Sequence, residues 1–302
     1  MMGSERIRIW VAFTVVCTVW GSTWMAIKIG LETVPPFLSA GVRFLIASLL
    51  LLLIIRVRGI SLPLARNAWR VYLALGILGY AIPFALVYWG QQYIPSALSS
   101  ILFAAFPFWV ALFSHVLLPQ ERMDYVKVIG ILVGFAGLVV IFARDVHWTG
   151  SEGLLGMGAV LLSTFLGGFS LVVVKKHGES ISPFSLNFIA MGMTALFLLG
   201  MSVVLERGVG VGWSTAAVVS VLYLAVISSV LTFAAYLWLL KRVEAVYLSL
   251  TSFVSPIIAI ILGVMAMGED LAATVYFGAA LVLSGILFAN GRYFYGKIQR
   301  AR

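Results

Sequence analysis

Long apolar runs, separated by short polar stretches, dominate the hydrophobic pattern of the chain. A hydrocarbon core of about 30 Å requires about 20 helical residues, and runs of that length recur from end to end. Alternation of polar and apolar residues over stretches of about ten residues is absent, which argues against an outer-membrane barrel. The pattern predicts an all-α integral membrane protein with ten transmembrane segments. We place segments 1 to 10 at 9–29, 36–55, 69–91, 96–118, 125–143, 153–174, 183–204, 214–240, 245–267 and 272–290.

The two halves of the sequence resemble each other. Pro36-Phe37 recurs as Pro183-Phe184 at an offset of 147 residues. Each half carries five segments, and because five is odd, the second half must cross the membrane in the opposite direction. The sequence therefore predicts two inverted five-helix repeats, residues 1–145 and 150–302, as in many secondary transporters. Further matches at offsets of 147 to 149 pair Lys28 with Lys175, Ala85 with Ala234, Trp89 with Trp238, Pro107 with Pro256, and Glu121 with Glu269.

Composition and charge agree with a membrane protein. The chain is 62% hydrophobic and 10% charged, with a mean hydropathy of +1.10, far from the values of a soluble domain. Its net charge is +9, and most Lys and Arg residues lie at segment ends on the side of the N-terminus. Such a bias predicts a multi-pass protein of the cell inner membrane with both termini cytoplasmic. Because the basic residues are scattered over loops and tails, we expect no nucleic-acid partner.

The titratable residues argue against an enzyme. The acidic residues all fall in loops or at segment ends, and the three histidines show no metal-ligand spacing. A membrane-embedded transferase would need clusters of such residues, so we expect no catalytic residues, metal or cofactor. The single cysteine, Cys17, fits apolar packing. The lack of a carboxylate near the midplane argues against proton coupling and predicts transport down the substrate gradient.

Two basic residues lie inside or at the end of predicted segments. Arg43 falls about seven residues inside segment 2, roughly 10 Å below the interface. It could snorkel outward, satisfy backbone carbonyls, or form a cationic patch that holds a carboxylate. Lys28 ends segment 1, where interface anchoring is the alternative to a place in the pathway. The structural roles are our main interpretation for Arg43 and Lys28, and a charged part of the pathway is the functional hypothesis for both.

Trp20 indicates where a binding cavity should lie. It stands near the centre of segment 1, too deep for the interfacial belts that tryptophans usually occupy, and its N–H needs a polar partner or a polar cavity. Helical spacing brings further aromatic and polar residues to similar depth, and each such stripe has packing as its alternative. The predicted substrate-binding residues are Trp20, Thr23, Trp24, Tyr80, Phe84, Tyr88, Gln91, Ser99, Phe103, Phe165, Phe169 and Ser252.

Proline and glycine suggest how the helices bend and pack. Pro83, Pro107 and Pro256 each remove an intrahelical hydrogen bond and are predicted hinges. Glycines in segments 5 and 10 allow close helix approach. Packing within one chain is our main interpretation of these glycines, so we expect a monomer, with a dimer as the alternative.

Several motifs together resemble one family. Segment 1 reads Trp-Gly-Ser-Thr-Trp followed by Lys28, segment 2 carries Gly-Val-Arg-Phe at 41–44, and Pro107 and Pro256 are each followed 13 or 14 residues later by a Glu. Over essentially the whole chain this resembles the EamA-type members of the drug/metabolite transporter superfamily, and among them the YddG-type exporters of aromatic amino acids and related metabolites.

The resemblance implies ten helices, both termini inside, and a central pathway formed mainly by segments 1, 3, 4, 6, 8 and 9. It implies an alternating-access exporter of small amphipathic molecules in the lipid bilayer. Broad-specificity drug or metabolite efflux is the alternative. The chain departs from the four-helix members of the superfamily, which depend on a membrane-embedded Glu, because it has no Glu near the midplane.

Overall fold

The chain folds as an all-α membrane protein built from two inverted five-helix repeats. The computed structural model describes residues 2–118, 125–243, 248 and 251–300, and it contains no strand in these ranges. The side chains of 2–4, 127, 142–149, 252–253, 286 and 289–300 lie outside this description. Within the described residues, seven helices are long and apolar enough to cross a membrane, and three shorter apolar helices join them.

The helices follow the predicted segments closely. Segment 9 was predicted from residue 245, and its first residues fall largely outside the described part of the chain. We number the helices α1 Met2–Leu31, α2 Pro36–Arg58, α3 Arg66–Gly90, α4 Ser96–Leu117, α5 125–149, α6 Gly150–His177, α7 Pro183–Leu205, α8 Thr215–Leu240, α9 Thr251–Met267 and α10 Ala273–Arg300.

Two helices contain a π-helical segment near the middle. In α3 it covers Ala74–Ala81 and in α8 Leu224–Thr232, at matching positions of the two repeats. Pro83, which has no N–H to donate, follows the first segment closely. At the position 149 residues later, the Thr232 hydroxyl donates to the Ile227 carbonyl at 2.8 Å. Each repeat therefore carries a wide helical turn at the same place, and such turns are frequent at functional sites.

Other irregularities separate or divide helices. A turn at Ala104 and Ala105 interrupts α4, and its second part begins with Phe106 and Pro107. Pro256 lies within α9, which remains helical around it. Gly150 has φ 66° and ψ −169°, which ends α5 and starts α6. The backbone there is left-handed in φ, a conformation that glycine adopts without steric cost.

Close packing between helices uses glycine. A Cβ on Gly278 of α10 would lie 2.8 Å from the Gly137 carbonyl oxygen of α5, so the two backbones touch. Likewise, a Cβ on Gly21 of α1 would lie 2.5 Å from Cβ of Ile258 in α9. The glycines of α5 and α10 are thus occupied within one chain, and they supply no separate argument for a dimer.

The repeats also share a lysine clamp. Lys28 Nζ, at the end of α1, donates to the carbonyl oxygens of Gln91 (2.7 Å) and Ile94 (3.2 Å), just past the end of α3. Lys175 Nζ, at the end of α6, donates to the carbonyl oxygens of Leu240 and Val243, at the end of α8. Each lysine satisfies carbonyls that a helix end leaves free. The two clamps lie at opposite sides of the helix bundle.

Candidate functional site: a central aromatic cavity

A cavity lies between the two repeats. Its empty volume is about 1040 Å³, including space open to solvent, at the upper end of the range of about 300–1,000 Å³ for ligand pockets. Its walls come from α1, α2, α3, α4, α6, α8 and α9. The structure brings these predicted residues to its surface: Trp20, Thr23, Trp24, Arg43, Tyr80, Pro83, Phe84 and Phe103.

Other predicted residues lie away from this surface. Gln91 is fully buried, and its Nε2 donates to the Trp24 carbonyl at 3.3 Å. Ser99 donates to the Pro95 carbonyl, and the neighbouring Ser100 lines the cavity instead. Tyr88, Phe165, Phe169, Lys28, Pro107 and Pro256 are also absent from the lining. The side chain of Ser252 lies outside the described residues.

Trp20 forms an aromatic wall with α8. Its ring centroid lies 5.1 Å from that of Phe233 and 4.7 Å from that of Tyr236. Phe233 continues the wall across to α3, with its centroid 4.9 Å from Tyr80 and 6.1 Å from Phe84. These spacings fit tilted and edge-to-face aromatic contacts, and the wall presents ring surface to any molecule in the cavity.

Trp24 lies on a second side of the cavity. Its Nε1 donates to Ser255 Oγ of α9 at 3.1 Å, and its ring contacts that of Phe103 at 5.2 Å. Phe103 stacks on Phe106 across the break in α4, at 5.6 Å and an interplanar angle of 8°. The break therefore holds two parallel rings beside the cavity.

Hydroxyl groups supply the neutral polar surface of the cavity, and one of them is bonded to a buried amide behind the wall. The Tyr80 hydroxyl donates to Asn187 Oδ1 of α7 at 2.8 Å, while Asn187 Nδ2 has no described partner. The Tyr236 hydroxyl is buried and likewise has no described partner. An unpaired buried polar group costs about 1–3 kcal/mol, so a polar molecule bound in the cavity would stabilise the Tyr236 hydroxyl, which lines it.

Sequence reasoning missed the α8 half of the aromatic wall. Phe233 and Tyr236 line the cavity, as does Ser228 in the π-helical segment. A signal was available, because the offset of 149 residues that pairs Ala85 with Ala234 also pairs Phe84 with Phe233. For Tyr236 the repeat gives no such signal, since its counterpart is an aliphatic residue, Val87.

Charge in the cavity comes from one side chain. Arg43 is the charged residue among the described residues that line it, and none of those residues is acidic. Arg43 is 1% exposed. A buried cation of this kind favours anionic groups and disfavours cations in the same space.

A second, smaller pocket lies at the end of α6 and α8, on the side of the N-terminus. It is lined by Lys175, Glu179 and Lys241, and it shares Leu237 with the central cavity. Lys241 Nζ donates to the carbonyl oxygens of Glu179 (2.6 Å) and Ile181 (2.5 Å). Burial lowers the pKa of Lys241, and the charge of Glu179 opposes this. Leu237 thus borders both spaces.

The helices and the cavity are those of a polytopic membrane protein, and comparison with known proteins identifies it as a transporter. A model of the EamA-like transporter family matches the chain twice, over residues 8–143 and 154–291. The chain belongs to this family, within the drug/metabolite transporter superfamily. The prediction of a transporter rather than an enzyme is confirmed. Within the described residues, no group of three His, Cys, Asp or Glu is placed to hold a metal ion.

Its relatives include uncharacterized transporters. YoaV of Bacillus subtilis is 27% identical, over 93% of this chain and 96% of that protein. YedA of Escherichia coli, an uncharacterized inner membrane transporter, is 28% identical over 92% and 89%. One crystal structure superimposes with a TM-score of 0.70 at 22% identity, covering 93% of this chain and 96% of the other, which shows a shared fold.

Proposed function

We propose that this transporter exports aromatic amino acids and related small amphipathic metabolites through the central cavity. The observation that carries the proposal is the aromatic wall of Trp20, Phe233 and Tyr236, beside serine, threonine and tyrosine hydroxyl groups. Rings of this kind stack on an aromatic side chain, and the polar groups satisfy an ammonium or carboxylate. We place the protein in the inner membrane with both termini cytoplasmic, working as a monomer.

Alternating access would come from rocking of the two repeats, 1–145 and 150–302, around the cavity. The π-helical segments of α3 and α8 border the cavity through Tyr80 and Ser228, and the break in α4 borders it through Phe103. Backbone that departs from regular α-helix is the part that most readily changes its dihedral angles. We therefore assign the hinges to these segments together with Pro83 and Pro107, and Pro256 to the matching place in α9.

Substrate would move down its own gradient. A proton-coupled carrier needs a titrating group in the pathway, usually a carboxylate. The described lining of the central cavity contains no Asp, Glu or His.

Counterflow in proteoliposomes tests this function. Vesicles preloaded with phenylalanine should accumulate labelled phenylalanine and tryptophan transiently, while labelled alanine accumulates at least about tenfold more slowly because it lacks a ring to stack. An imposed pH gradient alone should not concentrate phenylalanine. Equal rates for alanine and phenylalanine, or uptake of a lipophilic cation such as tetraphenylphosphonium in preference to both, would instead favour broad-specificity efflux. Accumulation driven by the pH gradient would refute gradient-driven transport.

A further inference from the structure

The guanidinium of Arg43 is buried on the cavity wall and bonded only to neutral groups among the described residues. Nε donates to Ser229 Oγ at 3.0 Å, Nη1 to the Tyr88 hydroxyl at 3.1 Å and Nη2 to Ser228 Oγ at 3.2 Å. The partners come from α3 and from the π-helical segment of α8. They fix the plane of the guanidinium in space without neutralising it.

The charge of Arg43 lacks a carboxylate partner in the described part of the chain. The ion pair found there joins Arg242 and Glu5, elsewhere in the molecule. A guanidinium is a cation with five N–H groups, of which the three hydrogen bonds use three. The rings of Phe44 and Phe84, at 4.9 and 5.1 Å from Cζ, offset part of the desolvation. Burying a cation without an anion still costs several kcal/mol.

The repeat argues that Arg43 is not part of the common scaffold. The clamping lysine recurs in both halves, as Lys28 and Lys175. At the same offset of 147 residues, the counterpart of Arg43 is Ala190, which is fully buried. A residue that served only to join helices of the repeat would be expected in both halves. Arg43 instead places one positive charge on one wall of the cavity.

The aromatic wall connects this charge to the rest of the cavity. The Arg43 guanidinium lies over Phe84, Phe84 lies 6.1 Å from Phe233, and Phe233 lies 5.1 Å from Trp20. A molecule with a carboxylate at one end and an apolar or aromatic body at the other matches this order. The planar fork of an arginine suits a carboxylate, which it can bind through two parallel hydrogen bonds.

We propose that Arg43 is the carboxylate receptor of the cavity and determines substrate class. The substrates are small monocarboxylates with an aromatic or apolar body, including zwitterionic amino acids, whereas amines without a carboxylate are excluded. The role of Arg43 in transport rests on the proposed function. Recognition of the carboxylate by Arg43 can be tested by ligand binding alone.

The test compares ligands that share one body and differ in the end group. Thermal unfolding of purified full-length protein in detergent is measured with 3-phenylpropionate, 3-phenylpropanamide and phenethylamine. Wild type should be stabilised by 3-phenylpropionate with an apparent affinity at least about tenfold higher than for the other two, the size expected for one charge-assisted pair. Equal affinities for the acid and the amine would overturn the proposal.

Arg43 variants separate recognition from folding. In Arg43→Gln the preference for the acid over the amide should vanish, and in Arg43→Lys it should be reduced but retained, because the charge remains while the fork is lost. Arg207→Gln is the matched control: it makes the same change at an exposed arginine just past α7 that does not line the cavity, so the preference should persist. A full preference in folded Arg43→Gln would refute the assignment. If Arg43→Gln does not fold, the proposal is tested by the reduced preference expected in Arg43→Lys and by the affinities of the three ligands for the wild type.

The outcome is distinguishable from failure of the proposed function. Acid-selective binding that depends on Arg43, without counterflow of phenylalanine or tryptophan, would leave the receptor standing and remove aromatic amino-acid transport. Counterflow of these amino acids that phenethylamine inhibits as well as 3-phenylpropionate does would support transport and remove the receptor.

Discussion

Replacing Trp20 with alanine should reduce phenylalanine counterflow by roughly 30- to 100-fold at near-normal protein yield. Trp20 supplies a large ring at the cavity surface against Phe233 and Tyr236. Removing that surface from a stacked substrate should cost about 2–3 kcal/mol of contact free energy, and each 1.4 kcal/mol is tenfold. The measurement is the initial counterflow rate per folded protein, with yield and monodispersity checked by size-exclusion chromatography.

Two variants control for this effect. Trp20→Phe keeps a ring at the cavity surface and should retain most of the transport rate. Trp213→Ala removes an exposed tryptophan that does not line the cavity, so it should leave the transport rate unchanged. If Trp20 only fills space, Trp20→Ala should lower yield and thermal stability with a normal rate per folded molecule. An unchanged rate would therefore remove Trp20 from the substrate site while leaving the transporter class intact.

Glu269→Gln should lower the unfolding temperature by about 5–10 °C and slow transport. The Glu269 carboxylate, just past α9, accepts hydrogen bonds from the backbone N–H groups of Ser96 (2.7 Å) and Ala97 (3.0 Å) at the start of α4. A carboxylate at a helix N-terminus makes charge-assisted bonds of about 1.5–3 kcal/mol each. Losing the charge and one acceptor should cost about 2–3 kcal/mol, and each kcal/mol is worth about 2–4 °C in proteins of about 150–250 residues.

The neighbouring exposed acid provides the comparison. Asp270→Asn removes the same formal charge one residue away from an exposed position, so it should change the unfolding temperature by at most about a degree. If the unfolding temperature of Glu269→Gln lies within about a degree of that of Asp270→Asn, the capping role of Glu269 is contradicted. The residue that matches Glu269 in the first repeat is Glu121, which lies outside the described residues.

The helices of this protein could be predicted because their signal is length and hydropathy. An apolar run of about 20 residues has few alternatives in a bilayer, where every backbone group must be paired within the segment. The first residues of α2 and α7, Pro36 and Pro183, could also be predicted, because proline favours the first turn of a helix.

Register inside the helices was harder to predict. The regular spacing of Tyr80, Phe84 and Tyr88 assumes 3.6 residues per turn, but in α3 the π-helical segment Ala74–Ala81 includes Tyr80 and ends just before Phe84. Tyr80 and Phe84 reach the cavity, whereas Tyr88 lies behind it as a hydrogen-bond acceptor for Arg43. No residue pattern signalled the wide turn in α8, where threonine stands at the position of Pro83.

Aromatic stripes are an ambiguous signal in a membrane protein. Phe165 of α6 is 37% exposed and contacts Trp109 and Phe113 of α4, away from the cavity. The small and polar residues of the same helix, Ser163 and Gly167, face the cavity instead. In a soluble protein the apolar face marks the interior, but lipid is as apolar as a core, so ring content does not show which face is inside.

Photolabelling with p-azidophenylalanine tests the central claim most directly, namely that an aromatic amino acid occupies the cavity between the repeats. The purified protein is irradiated with the probe, with and without excess phenylalanine, and adducts are located by mass spectrometry. The account predicts phenylalanine-competable adducts on cavity residues of α1, α3 and α8, above all Trp20, Tyr80, Phe233 and Tyr236. Competable adducts confined to outward-facing rings such as Phe165, or no competable adducts at all, would contradict it.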